Sequence, residues 1–170
     1  MENIKYMKKS ELVVKTLSEH FFRNVQLGIY YVDLASQASS MGMVSFAKYI
    51  KSLSDDKITI HKDLIFKYLT SIDQELIGNC KEVEFKKFDN ARQIAKELLE
   101  IERTIRSEVS EIAGICLKED DFESFNFWQW FVKDGLKDFD EIQEINSAFD
   151  ASEDLLLIDN TIDKLISENK

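Results

Sequence analysis

Proline is absent from this chain of 170 residues, and only five residues are glycine. Proline breaks the interior of a helix, and glycine weakens it by about 1 kcal/mol relative to alanine. A chain almost without either residue can therefore form long uninterrupted helices. Apolar residues recur at spacings of three and four through most of the sequence, which is the period of an amphipathic helix. These features predict an all-α fold.

The periodic segments are long, and the loops between them differ in length. They predict four long helices and a short fifth one, over about residues 9–39, 43–70, 89–117, 122–149 and 152–167. Segment 71–88 has no clear period, whereas the other connections are short. Short loops join antiparallel neighbours, and a connection of about 18 residues is long enough to run the length of a bundle. We therefore expect one domain over residues 1–170, a four-helix bundle with one long crossover.

Composition excludes several classes of function. The formal net charge of −10 argues against binding nucleic acid through its phosphates. No apolar run approaches the roughly 20 residues that a membrane span requires. The first residues, MENIKYMKKSEL, are basic but lack the apolar stretch of a signal peptide, so we expect a cytoplasmic protein. The two cysteines, Cys80 and Cys116, have neither the number nor the spacing of a disulfide framework or a zinc site.

The core-facing stripe of each long helix is mostly apolar but contains one polar side chain near its middle. The four polar residues are Asn24, His61, Glu102 and Asp138. A buried carboxylate needs a cation or a hydrogen-bond donor, and the crossover topology would bring the four positions to one level of the bundle. Oxygen and imidazole ligands together suit iron, zinc or manganese. A hydrogen-bonded imidazole–carboxylate network without metal is the alternative interpretation.

Several segments resemble bacterial non-haem ferritins, over nearly the whole chain from LSEHFFRNVQLGIYY onward. The best matches are HKDLIFKYL in the second helix, SFNFWQWFV at the start of the fourth and LLLIDNTIDKL in the fifth. The last two are the most specific, because a short C-terminal helix separates ferritins from other four-helix bundles. The resemblance implies a ferritin-like bundle that assembles with copies of itself into a hollow cage of 24 subunits, oxidises Fe(II) and stores it as a ferric mineral.

The resemblance also implies a di-iron centre, whose ligands are only partly present here. The family uses a Glu from the first helix, a Glu-x-x-His pair from the second, a Glu from the third and a Gln or Glu from the fourth. His61 and Glu102 occupy two of these positions, whereas Asn24, Ile58 and Gly135 replace the other ligands. Since bridging two iron ions requires several anionic oxygens, we expect no standard ferroxidase centre and assign no catalytic residue.

Two further features of the family bear on metal binding. An additional acidic site in bacterial ferritins corresponds to Lys57, Asp134, Lys137 and Asp138, so two of its positions have the opposite charge. These lysines would repel a second metal ion at low dielectric. Tyr31 corresponds to the tyrosine near the di-iron site. No methionine occupies the expected part of the second helix, so we expect no haem.

Three hypotheses about function follow. The first is iron storage with slow or absent oxidation, in which any metal in the bundle binds at a single-metal site of His61, Glu102 and Asp138, with Asn24 as a weaker ligand. The second is an active ferroxidase with a centre rearranged around the same His61, Glu102 and Asp138. The third is a structural cage protein without metal, whose polar layer is only a hydrogen-bond network.

The segment KEDDFE contains four acidic residues where the cages of the family have three-fold openings. They are Glu119, Asp120, Asp121 and Glu123. Three-fold symmetry would triple these charges around an axis and draw Fe(II) inward. Helix-capping acids in a solvated loop are the alternative interpretation.

Gly135 is an unusual residue for the middle of a helix. We interpret it as making room for a bulky neighbour such as Trp130 or Phe131, and unconstrained drift is the alternative.

Overall fold

The computed structural model describes residues 9–168, and in that range it contains only helices and their connections. Its α-helices are α1 (Glu11–Ser40), α2 (Val44–Asp55), α3 (Lys62–Ser71), α4 (Ala91–Lys118), α5 (Phe122–Ala151) and α6 (Leu155–Glu168). A π-helical turn, Asp56–His61, joins α2 to α3, so the three segments form the second long helix of the bundle. The predicted all-α, ferritin-like four-helix bundle, with its one long crossover and short fifth C-terminal helix, is confirmed.

Most of the basic N-terminal stretch on which the prediction of no signal peptide depends lies outside the described residues. Between residues 9 and 168, no helix is both long and apolar enough to cross a membrane.

The two short connections have the residues that tight turns require. After α1, Gly42 has a φ of +83°, and its N–H donates to the carbonyl oxygen of Ser39 over 3.0 Å. A positive φ after a helix strains other residues but not glycine. Before α5, Asp121 accepts hydrogen bonds from the backbone N–H and the hydroxyl of Ser124, over 3.0 and 2.7 Å. Asp121 thus caps α5, as the helix-capping interpretation of the acidic segment requires.

The crossover, residues 72–90, runs along α1 and is held by side chains of that helix. Gln26 Nε2 donates to the carbonyl oxygen of Lys81 over 3.1 Å. Gln37 Nε2 donates to the carbonyl oxygen of Lys86 over 2.8 Å, and Gln37 Oε1 accepts from the N–H of Phe88 over 3.1 Å. The two glutamines thus satisfy backbone groups of the crossover that would otherwise depend on water.

The C-terminal helix α6 is attached to the start of the second long helix. Asp159 accepts from the backbone N–H groups of Ser45 and Phe46, over 3.0 and 2.9 Å. These N–H groups lie in the first turn of α2, where no carbonyl of the same helix is available. Ile158 and Ile162 of α6 are buried in the core. One carboxylate and two isoleucines therefore fix α6 against the bundle.

Two glycines in the helices have different surroundings. A Cβ atom built on Gly28 would lie 2.3 Å from Ile58 Cγ1 and 2.6 Å from Ile58 Cδ1, so α1 approaches the second helix closely at that residue. A Cβ atom built on Gly135 meets no atom within 4 Å. The prediction that Gly135 makes room for a bulky neighbour is therefore wrong, because the space beside it is open.

This difference predicts opposite effects of the same substitution. We expect Gly135→Ala to raise the free energy of unfolding by about 0.5–1 kcal/mol, since alanine favours the helix and meets no neighbour. Gly28→Ala gains the same helix propensity but forces Ile58 to move, and overpacking of this kind costs about 1–3 kcal/mol. Urea unfolding followed by circular dichroism measures both effects. Equal shifts of the two variants in the same direction would contradict the close contact between Gly28 and Ile58.

Candidate metal centre

A layer of polar side chains crosses the middle of the bundle. The four residues predicted from the helical stripes, Asn24, His61, Glu102 and Asp138, are all buried. Lys57, one turn before His61 in the π-helical turn, is buried with them and is only 2% exposed. We call these five residues the polar layer. π-Helical turns in proteins occur mostly as insertions in α-helices, often at functional sites.

Glu102 is the most enclosed member of the polar layer, with 0% exposure. Its Oε1 accepts a hydrogen bond from the hydroxyl of Tyr31 over 2.7 Å. Its Oε2 is a buried oxygen with no hydrogen-bond partner among the described residues. Burial raises the pKa of Glu102, and the charge of Lys57 and the hydrogen bond from Tyr31 oppose that shift. Tyr31 is thus a hydrogen-bond donor to the layer.

Lys57 keeps its charge inside the bundle. Its Nζ lies 3.4 Å from Asp138 Oδ2, and both side chains are almost fully buried. Burial alone favours the neutral amine, but the charges of Glu102, Asp138 and Asp134 outweigh it, so the pKa of Lys57 lies above its ordinary value. The layer therefore contains an ammonium cation surrounded by carboxylates.

His61 pairs with a carboxylate that the stripe analysis missed. Its Nε2 lies 2.9 Å from Asp134 Oδ2, and its ring packs edge-on against Trp130 and Phe131, with centroid distances of 5.2 and 5.6 Å. Burial opposes the charge of Asp134, yet its pKa is lowered, because the hydrogen bond and charge of His61 and the charge of Lys57 outweigh burial. Asp134 lies one turn before Asp138 on α5. The resemblance to bacterial ferritins named it at the additional acidic site, but the apolar stripes did not include it.

One group of side chains has the geometry for a metal ion. Single ligand atoms of His61, Asp134 and Asp138 all lie within 4.8 Å of one another. Three protein ligands suffice for a site that leaves a position open to water or substrate. The ammonium of Lys57, in contact with Asp138, opposes a second cation at the same place.

The remaining predicted positions have structural contacts. The amide Nδ2 of Asn24 donates to the carbonyl oxygen of His20 on its own helix, over 2.8 Å. Ile58 packs against Gly28 and fills space between the helices. His20 is a core residue whose ring contacts Trp128 edge-on at 5.0 Å, and burial, with the nearby charge of Lys57, lowers its pKa to about 3.

The acidic segment between α4 and α5 is partly neutralised within the chain. Lys9 Nζ lies 2.7 Å from Asp121 Oδ1 and 3.0 Å from Glu123 Oε2. Glu119 Oε2 accepts from the hydroxyl of Ser10 over 2.6 Å. Asp120 has a φ of +52°, which aspartate tolerates better than most residues.

The hydrogen bond from Tyr31 to Glu102 predicts a measurable loss of stability when it is removed. We expect Tyr31→Phe to lower the free energy of unfolding by about 1.5–3 kcal/mol, because a buried carboxylate loses the only donor that the structure describes for it. Tyr30→Phe is the matched control, since its hydroxyl donates to the half-buried Glu97 over 3.0 Å. We expect it to cost about 0.5–1 kcal/mol. Urea unfolding of both variants at neutral pH tests this, and equal losses would show that Glu102 does not depend on Tyr31.

Comparison with known proteins agrees with the fold. The ferritin-like domain profile matches residues 14–151. A protein of Ureaplasma parvum, named only as uncharacterized, is 36% identical over 166 residues, which cover 96% of this chain and 97% of that protein. The bacterial non-heme ferritin of Escherichia coli is 23% identical over 167 residues, which cover 96% of this chain and 100% of that protein.

Solved structures give the same result. The crystal structure of M. penetrans ferritin has a TM-score of 0.86 and 26% identity, over 92% of this chain and 97% of that one. The open pore ferritin of Archaeoglobus fulgidus has a TM-score of 0.84 and 19% identity, over 92% and 98%. The predicted resemblance to bacterial non-haem ferritins is confirmed, and the chain belongs to the ferritin-like domain family.

Proposed function

We propose that this protein sequesters iron in a ferritin-type hollow cage of 24 subunits, and that its ferroxidase centre is too degraded to oxidise Fe(II) quickly. Its membership of the family supports the storage function and the cage. The observation that supports a degraded centre is the buried ammonium of Lys57, 3.4 Å from Asp138.

The charges of the polar layer do not suit two iron ions. At an effective dielectric of 20, a divalent ion about 4 Å from an ammonium is repelled by about 8 kcal/mol, which cancels the attraction of one carboxylate at the same distance. Glu102 is the only principal acidic ligand that remains, since Asn24, Ile58 and Gly135 replace the others. The residues present therefore disfavour a di-iron centre.

Any iron within the layer would bind at one site. Our proposal keeps His61 and Asp138 as ligands and adds Asp134, because ligand atoms of these three residues lie within 4.8 Å of one another. Glu102 and Asn24 are weaker candidate ligands for this iron ion. Glu102 Oε1 is held by the hydroxyl of Tyr31, and the amide of Asn24 donates to its own helix.

Iron would reach the cage interior through openings lined by the acidic segment. In a cage with three-fold axes, the charges of this segment would be repeated three times around each opening. Lys9 pairs with Asp121 and Glu123, so the attraction of Fe(II) depends mainly on Glu119 and Asp120.

A structural cage protein without metal is the second candidate. The ion pair of Lys57 with Asp138 favours it, because that pair satisfies part of the polar layer without any metal ion. The amount of iron retained inside the assembly distinguishes the two functions.

Aerobic loading with Fe(II) tests the proposal. We expect an assembly of about 475 kDa, which is 24 times the chain mass of 19.8 kDa, and we expect iron to elute with it on size exclusion. We also expect stopped-flow absorbance to show Fe(II) oxidation without the fast initial phase that an intact di-iron centre would produce.

Two outcomes would contradict this function. Retention of no more iron than an albumin control would refute storage. A fast initial phase in the wild type that disappears in Glu102→Ala or His61→Ala would instead establish an active ferroxidase with a rearranged centre.

A further inference from the structure

One lysine contacts a group of potential metal ligands. Ligand atoms of His61, Asp134 and Asp138 lie within 4.8 Å of one another, and Lys57 Nζ lies 3.4 Å from Asp138. Asp138 contacts Lys57 directly, while His61 and Asp134 bind each other beside it. The charge of Glu102 helps to raise the pKa of Lys57, and Glu102 Oε2 is a buried oxygen with no hydrogen-bond donor among the described residues. The carboxylates are thus arranged around a cation that belongs to the chain itself.

We propose that the Lys57 ammonium is a built-in substitute for a metal ion in the polar layer, and that removing its charge creates a divalent-cation site between Glu102 and Asp138. This inference goes beyond the proposed function, because it holds whether or not the assembly stores iron.

The balance of charge supports the proposal. With Lys57 present, one buried cation offsets the carboxylates of Glu102 and Asp138. Without it, two buried carboxylates would lose their cation, and breaking a buried ion pair in this way is strongly destabilising. A divalent cation relieves that cost, and so does protonation of one carboxylate. We therefore expect a divalent cation that is added near neutral pH to bind in the place of the ammonium.

The donor atoms define the class of ion. Two or three carboxylate oxygens and the imidazole of His61 suit Zn²⁺, Co²⁺, Fe²⁺ and Mn²⁺ better than Ca²⁺, which prefers six to eight oxygens. The Oε2 of Glu102 provides a ligand oxygen that no donor within residues 9–168 occupies. Lysine can take the place of the metal ion, because its ammonium is a compact positive charge.

The test compares Co(II) binding by the wild type and by Lys57→Met, which removes the charge and keeps a long side chain. Co(II) is titrated near neutral pH into the assembled protein, with calorimetry for stoichiometry and visible absorption for coordination. We expect Lys57→Met to bind one additional Co(II) per subunit, at least tenfold more tightly than the wild type binds any Co(II) in the layer. Lys15→Met is the matched control, since Lys15 lies on α1 with its side chain 61% exposed, and we expect it to behave like the wild type.

A double variant shows where the new ion binds. We expect Lys57→Met combined with Glu102→Gln to lose the additional Co(II), because the unpaired oxygen of Glu102 is then no longer an anion. Equal Co(II) binding by the wild type and a folded Lys57→Met would overturn the proposal. Additional binding that survives Glu102→Gln would overturn it too, since the ion would lie elsewhere.

Melting temperatures test the proposal even if the metal-free Lys57→Met variant is unstable. Lys57→Gln is the second variant, and we expect added Co(II) to raise the melting temperature of both variants by more than it raises that of the wild type. Failure of both variants to fold even with Co(II) present would also overturn the proposal, because the metal would then be unable to replace the ammonium. Iron retention by the wild type is measured separately, so it can fail without affecting this result.

Discussion

The buried positive charge of Lys57 is the interaction on which the centre of this bundle depends. A lysine and two carboxylates would each be costly to bury alone, and burial is tolerable only because their charges offset one another. Glu102 is stabilised further by the hydroxyl of Tyr31, so the layer joins α1, α4 and α5 with the second long helix. The same charges that make the layer compatible with an apolar interior also reduce its affinity for added cations.

The surrounding framework holds this layer in a defined place. Gly28 lets the second helix approach α1 closely enough for Ile58 to fill the space between them. Ser54, one turn earlier, donates to the carbonyl oxygen of Gly28 over 2.8 Å, which ties the same two helices together. The π-helical turn that contains Lys57 and His61 is continuous with α-helix on both sides. The close contact between Gly28 and Ile58 and the π-helical turn therefore place Lys57 and His61 inside the bundle.

Much of this arrangement could be predicted from the sequence, because helix length and apolar period are local properties. The absence of proline and the spacing of apolar residues predicted the all-α bundle, and the interrupted stripes identified Asn24, His61, Glu102 and Asp138 as inward-facing. The stripes missed Lys57 and Asp134, since charged residues at the edge of a stripe are usually exposed. A regular period of 3.6 residues also cannot predict a π-helical turn. The explanation offered for Gly135 failed because a pattern of residue types does not show where space is open.

The most direct measurement of the central claim is anomalous diffraction from crystals of the wild-type assembly soaked in Fe(II). Our account predicts Lys57 Nζ in contact with Asp138 and no iron peak between Glu102 and Asp138, with any peak inside the bundle lying beside His61 and Asp134. An iron ion bound by Glu102, with the side chain of Lys57 displaced from the layer, would contradict it.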